Sequence, residues 1–242
     1  MPTVISVNVG MPRDVQWQGR TVRTGIWKSP AAGRVFAGRV NLAGDGQGDL
    51  EGHGGEQRAV MVYQTECYRY WEAVFGRPEM APGSFGENLT TVGGLSDREV
   101  CIGDRYRIGE ALFEVSQPRV TCYRVGLRLE CPQLASLLVT HGRPGFYFRV
   151  IEEGFIQARD PIEKVADGPE RMAVAEIDSL LYSSEHPVEK LQRALRIEAL
   201  SAGWRASFKA LLDAARAGAV GGNAGWRPSR PSPPGRAFVH CA

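Results

Sequence analysis

Hydrophobic positions from Met1 to about Val165 fall in short extended runs broken by glycine, the pattern of an all-β sandwich or barrel. Gly109-Glu110 sits between two β-prone runs in Tyr106 to Ser116 and predicts a two-residue hairpin turn, with glycine supplying the positive φ. Phe146, Phe148 and Val150 alternate with Tyr147, Arg149 and Ile151, so one face of that strand belongs to the core. Glu153-Gly154 then precedes a further β-prone run, Phe155 to Ala158, which predicts a second hairpin. In Gln64 to Phe75 the spacing changes. Tyr68, Trp71 and Phe75 recur at three and four residues and predict an amphipathic helix packed on the sheet.

After Val165 the punctuation Asp167-Gly168-Pro169 opens a stretch of helical periodicity. Val174, Ile177 and Leu181 mark one helix, Leu191 and Leu195 after Pro187 a second, and Trp204, Phe208 and Leu211 a third. Such a small unit is marginal alone and is expected to lean on the β region. The expected organisation is a mainly β domain over 1–165, a three-helix domain over 169–215, and a disordered Pro/Gly-rich tail over 216–242.

A chain of 242 residues buries enough surface to need no staples, and its 43% hydrophobic and 23% charged residues are those of a globular protein. Neither a membrane span nor a secretory leader is evident, which points to the cytoplasm. A net charge of +2 gives no overall field for a nucleic-acid polymer, so any anion site must be local. Five widely spaced cysteines without a CxxC pair argue against a zinc site or dithiol, and free thiols are the simplest expectation.

Candidate chemistry concentrates in a few segments. In Ser116-Gln117-Pro118-Arg119-Val120-Thr121-Cys122-Tyr123-Arg124 a thiol follows a predicted strand and lies between two guanidinium groups. An ordinary thiol, pKa ~8.5, is only about 3% ionised at pH 7, and Arg119 and Arg124 are the groups expected to raise that fraction. Equally, Cys122 reads as a small buried hydrophobe. Gly52-His53-Gly54-Gly55-Glu56-Gln57-Arg58 is a turn that either serves structure alone or holds His53 at a ligand. Phe85-Gly86-Glu87-Asn88-Leu89 is a tight turn aiming a carboxylate and an amide into a cleft. The Asn41 to Asp49 loop lacks the ligand ladder of a calcium site, and Arg23, Lys28, Arg34 and Arg39 read as surface groups unless a subset converges on a phosphate.

The order HGG, FGENL, Gly103-Asp104, then QPR followed by Cys122 resembles the MOSC family, specifically its YiiM-like branch, from about Val22 to Val165, with the helices to about residue 215 resembling that branch's three-helix appendage. The resemblance implies a β-barrel-like fold related to the pyruvate-kinase β-barrel. It also implies binding of the molybdenum cofactor (molybdopterin) through Cys122, with Lys28, Gly54, Gly55, Arg58, Asn88 and Arg119 as further cofactor contacts. The implied activity is reduction of small N-hydroxylated compounds, such as hydroxylaminopurine-type base analogues, in a detoxifying role, with His53 or Glu87 supplying protons. A persulfide-carrying sulfur transferase and a non-catalytic cofactor-binding module are the alternatives. Thr121 stands where proline is frequent in the family, and Ala43 interrupts its glycine-rich loop. Some relatives continue into a flavin- and iron–sulfur-containing reductase; here such a reductase is expected as an external electron donor, to a monomer or homodimer.

Overall fold

The computed structural model describes residues 1–77 and 79–217, so the expectation of a disordered tail lies almost wholly outside the described residues. Among the described residues twelve strands run in chain order: β1 (Thr3–Val9), β2 (Arg13–Trp17), β3 (Arg20–Thr24), β4 (Ser29–Pro30), β5 (Val35–Ala37), β6 (Val60–Gln64), β7 (Leu89–Val92), β8 (Arg105–Ile108), β9 (Ala111–Pro118), β10 (Phe146–Glu152), β11 (Gly154–Ile156) and β12 (Ile162–Ala166). The helices are α1 (Leu50–His53), α2 (Thr65–Phe75), α3 (Tyr123–Leu129), α4 (Leu134–Thr140), α5 (Val174–Tyr182), α6 (Val188–Leu195) and α7 (Ala202–Arg216).

Eight strands form one sheet in the order β12-β8-β9-β10-β6-β7-β1-β4. The segment leading into β12 bonds back to β1: Val4 N–H donates to the Asp160 carbonyl (3.0 Å), Arg159 N–H to Val4 (2.7 Å) and Ile162 N–H to Pro2 (2.9 Å). These bonds close the sheet into a barrel, which leaves few unpaired edges. Among the described residues only β6 and β7 pair in parallel, and α2 makes the crossover such a pair requires.

Strand β6 is buried along its whole length because both faces are covered. Val60 and Val62 point into the main core with Leu89, Phe113, Phe146 and Phe148. Met61 and Tyr63 point outward into a second cluster with Tyr68 and Trp71 of α2, Val125 and Leu129 of α3, and Leu134 and Leu138 of α4. The predicted α2 helix is present, with Trp71 fully buried. The β8–β9 hairpin also matches the expectation, since Ile108 pairs with Ala111 and Gly109 adopts φ +55°. Two features differ. Helices α3 and α4 lie in a region expected to be extended, and β11 pairs with β5 rather than folding back on β10.

The three predicted helices form α5, α6 and α7, and their apolar stripes enter the same core as the barrel, through Val174, Ile177, Leu191, Trp204 and Phe208. Backbone bonds Val174 N–H to Val100 (2.8 Å), Ala175 N–H to Asp97 (2.7 Å) and Ser201 N–H to Ser116 (3.2 Å) fasten them to it. Among the described residues no helix is long and apolar enough to cross a membrane.

Candidate functional site

A cleft opens where β9 ends and β6 begins. It is lined by Lys28, Asp49, His53, Arg58, Arg119, Cys122, Arg124 and Tyr147, together with loop backbone from Gly46 to Gly48 and the turn at Gly86 and Asn88. The space amounts to about 610 Å³ including its open mouth. Loops carry Lys28, Asp49, Arg119 and Cys122 to the cleft, while His53 comes from the end of α1, Arg124 from the first turn of α3 and Tyr147 from β10.

Cys122 is the last residue before α3, in extended backbone (φ −139°, ψ 166°), and it is a free, partly buried thiol. Thr121, standing in place of the proline, donates its hydroxyl to the Ala135 carbonyl (3.0 Å) and so ties the loop to α4. Burial pushes the Cys122 thiol up, but a hydrogen bond to His53, the charges of His53 and Arg119, and the Arg124 backbone N–H outweigh it, bringing the pKa to about 6. The two arginines were expected to supply this shift; the larger lowering comes from His53, with Arg124 acting through its main chain.

His53 ends the four-residue helix α1, whose N-cap is Asp49. One Asp49 oxygen, Oδ1, accepts from Gly52 N–H (2.9 Å), while Oδ2 lies 3.1 Å from His53 Nδ1 and 3.5 Å from Arg124 Nη2. Arg124 Nη1 lies 3.5 Å from His53 Nε2 and 3.9 Å from the Cys122 sulfur. Asp49, His53, Arg124 and Cys122 are therefore one connected group.

The cationic wall comes from three further residues. Arg119 is 4% exposed, and its Nη1 is buried without a hydrogen-bond partner. An orphaned guanidinium nitrogen at an anion-sized cleft is the feature expected of a phosphate or carboxylate site. Arg58 bonds the Gly52 carbonyl and holds the α1 turn from the other side. Lys28, expected on the surface unless it converged on an anion, is buried and pairs with Asp45. Burial lowers the pKa of its ammonium while Asp45 pulls it back up.

The remaining expected residues are placed differently. Asn88 lines the cleft, but its amide is engaged: Oδ1 accepts from Met61 N–H (3.0 Å), and Nδ2 donates to Asp45 (2.8 Å) and to the Asn8 carbonyl (3.2 Å). Gly54 and Gly55 do not line the cleft; Gly54 N–H closes α1 onto Leu50 (3.0 Å), and Gly55 takes φ +89° to leave it. Glu87 is also absent from the cleft, contrary to its expected role as a proton donor there. It is fully buried on the far side of its turn, accepting from the Tyr68 hydroxyl, Thr90 Oγ1 (2.6 Å), Gly83 N–H (2.7 Å) and Phe85 N–H (3.1 Å). The reason is steric. Gly86 sits at φ +79° with its Cα against Ile26, where a Cβ would come within 2.5 Å of that side chain, so the chain turns away just before Glu87.

Asp49 and Tyr147 escaped the sequence reading. Asp49 carried a signal, an N-cap residue four before a histidine. Tyr147 carried none beyond alternation with two core phenylalanines.

The MOSC domain profile matches residues 49–163, and the YiiM-like 3-alpha helix domain profile matches 172–215. The protein YflK of Bacillus subtilis (strain 168) is 39% identical over 206 residues, covering 85% of this chain and 92% of YflK. The chain belongs to the MOSC family. Its branch is the YiiM-like one: YiiM of Escherichia coli (strain K12) is 34% identical over 183 residues, 74% of this chain and 80% of YiiM. The crystal structure of YiiM from Geobacillus stearothermophilus superposes on this MOSC protein with TM-score 0.75 at 34% identity, covering 88% of this chain and all of that one. A protein named Reductase from Gibberella moniliformis (strain M3125 / FGSC 7600) is 36% identical over 147 residues, which is 60% of this chain but 26% of the fungal protein.

Proposed function

We propose that this MOSC protein binds the molybdenum cofactor at Cys122 and reduces small N-hydroxylated compounds, hydroxylaminopurine-type bases among them, with electrons from a flavin/iron–sulfur reductase. The observation that carries the reading is a thiol with a depressed pKa facing a cleft walled by Arg58, Arg119 and Arg124. This donor set fits the group: a soft thiolate suits a thiophilic metal, and the unpartnered Arg119 nitrogen suits a phosphate or pterin oxygen. When bound, the molybdenum supplies two-electron redox chemistry, which converts R–NH–OH, two electrons and two protons into R–NH₂ and water. The chain's own residues hold and orient. Arg119 and Arg58 neutralise anionic charge, while His53, steadied by Asp49, carries a proton at the cleft. The family membership and the name of the fungal relative support an oxidoreductase.

Molybdenum content tests the ligand. Protein purified from a host that supplies the cofactor should contain the metal, Cys122→Ala should lose it, and Cys67→Ser should retain it. Equal content in wild type and Cys122→Ala overturns the assignment. An anaerobic assay of N-hydroxylated bases with an artificial electron donor tests the reaction.

The Asp49–His53–Cys122 arrangement also favours a second reading, in which the thiolate is a nucleophile that carries sulfur. It would take the outer sulfur of a persulfide donor and release the donor's thiolate. Mass spectrometry would then find one added sulfur on Cys122.

A further inference from the structure

Strand β6 ends at Gln64, which directly precedes α2, yet its side chain does not cap that helix. It turns instead to the loop after β7, where Nε2 donates to the Leu95 carbonyl (2.5 Å) and to Asp97 Oδ2 (3.3 Å). A carbonyl only accepts, so the amide is fixed with its nitrogen on that loop. Gln64 is 2% exposed, and its Oε1 is buried without a donor. Buried amide oxygens are almost always satisfied, whether by protein, water or a ligand.

Gln64 lines a second cavity of about 650 Å³ including its open mouth, within the range of roughly 300–1,000 Å³ usual for small-molecule sites. The Cys122 cleft takes Arg58 and Met61 from the start of β6, whereas this cavity lies at the end of that strand and shares no lining residue with the cleft. Its lining carries charges of both signs. Asp97 is held by Gly145 N–H on Oδ1 (2.9 Å), Glu66 accepts from Gly93 N–H (3.0 Å), and Glu99 accepts from the Ser96 hydroxyl (2.6 Å), so these acids are bonded to donors other than the arginines beside them. On the cationic side Arg143 lies over the Tyr70 ring at 4.1 Å and reaches the Cys67 sulfur through Nη1 (3.5 Å), which fixes the plane of the guanidinium. Its Nε is buried without an acceptor. Arg98, on the same lining, is exposed.

We propose that this cavity is a second small-molecule site, built for a zwitterion of the size of a free α-amino acid, whose ammonium meets Gln64 and the acidic wall and whose carboxylate meets Arg98 and Arg143. The mixture of charges decides the class. Three carboxyl groups repel a phosphate, and two guanidinium groups repel a metal ion; among the described residues no cluster has the make-up of a metal site. A molecule with a cationic N–H donor at one end and a planar anion at the other satisfies both orphaned atoms at once. The inference stands apart from the assignment of Cys122.

The test is isothermal titration calorimetry at pH 8 of the full chain against the twenty free L-amino acids, with far-UV circular dichroism as the check on folding. At least one should bind saturably below about 10 mM. The same molecule without its amine, or without its carboxylate, should bind about tenfold more weakly, the loss of one charged contact. Arg98→Ala and Gln64→Met should each weaken binding to a similar degree, and Cys122→Ala should bind as wild type does. If Gln64→Met does not fold, Arg98→Ala decides, because its side chain is at the surface. Absence of saturable binding by all twenty overturns the proposal and leaves the cavity to water. Equal binding of the deaminated acids or of inorganic phosphate overturns it as well, as does binding that survives Arg98→Ala but is lost in Cys122→Ala. Because no readout uses the metal, this site and the molybdenum assignment can fail separately.

Discussion

The thiols of this protein differ because their neighbours differ. Cys67 lies on the buried face of α2, and burial, with Asp97 nearby, pushes it up to about 12 against the pull of Arg143. Cys122 is held at about 6 although burial alone would raise it. Its alkylation should therefore rise with pH through about 6 and level off near pH 7, whereas Cys67 stays unmodified in the folded state; peptide mapping across pH 5 to 9 checks both. The depressed value also has a consequence for folding. The folded state releases this proton more readily than the unfolded chain, so the contribution to stability is present above the unfolded thiol range and is lost as pH falls through about 6. Lys28 offers a second residue-scale test. Its ammonium is the counter-ion of a fully buried Asp45, so Lys28→Ala leaves a carboxylate stranded in low dielectric. Urea unfolding should show a loss of about 3–5 kcal/mol. Neither Lys28's burial nor its partner was readable from sequence, because the lysine and Asp45 are 17 residues apart and meet only when the loop closes.

Elements with a strong local period were legible, and those made by tertiary contact were not. The 64–75 segment forms its helix because Tyr68 and Trp71 recur at helical spacing, and the 105–118 hairpin forms because glycine occupies its turn. Helices α3 and α4 are seven residues each, too short for periodicity to stand out, and are stabilised by burying Val125, Leu129, Leu134 and Leu138 against β6. The turn before β7 shows how a motif can be recognised and its part misread. Phe85-Gly86-Glu87-Asn88 was visible as a polar turn at a cleft, but only backbone geometry shows that Asn88 faces the cleft and Glu87 faces away. Glu87 instead gathers four donors that hold this turn to α2 and β7. Glu87→Gln replaces one acceptor with a donor facing Phe85 N–H, and should cost about 1–3 kcal/mol in thermal or urea unfolding. It should leave the alkylation rate of Cys122 unchanged; a rate that falls with the substitution would return Glu87 to the chemistry.

At the scale of the molecule, barrel and helices share one core, so the helical unit closes the barrel as well as following it in sequence. The seam contains a cost. Asp178 of α5 is 3% exposed, its Oδ1 has no hydrogen-bond partner, and its nearest charged influence is another buried acid, Asp97. Burial, then Asp97, hold the Asp178 carboxyl well above the usual carboxylate range. Asp97 is itself pushed up to about 6 by burial, against hydrogen bonds from Gln64 and Gly145 N–H. Both acids keep their protons in the folded state at pH values where the unfolded chain has lost them. Their contribution to stability is therefore complete below the unfolded carboxylate range and declines as pH rises through the folded values. Asp178→Asn removes the ionisation while nearly preserving shape. The variant should gain about 1–3 kcal/mol over wild type at pH 8 and little at pH 4, measured by urea unfolding at the two values. Because the core is continuous, fluorescence and far-UV circular dichroism should report one coincident transition in both proteins. A gain equal at both pH values would show that the Asp178 carboxyl is not held above its unfolded range and would overturn this account of the seam.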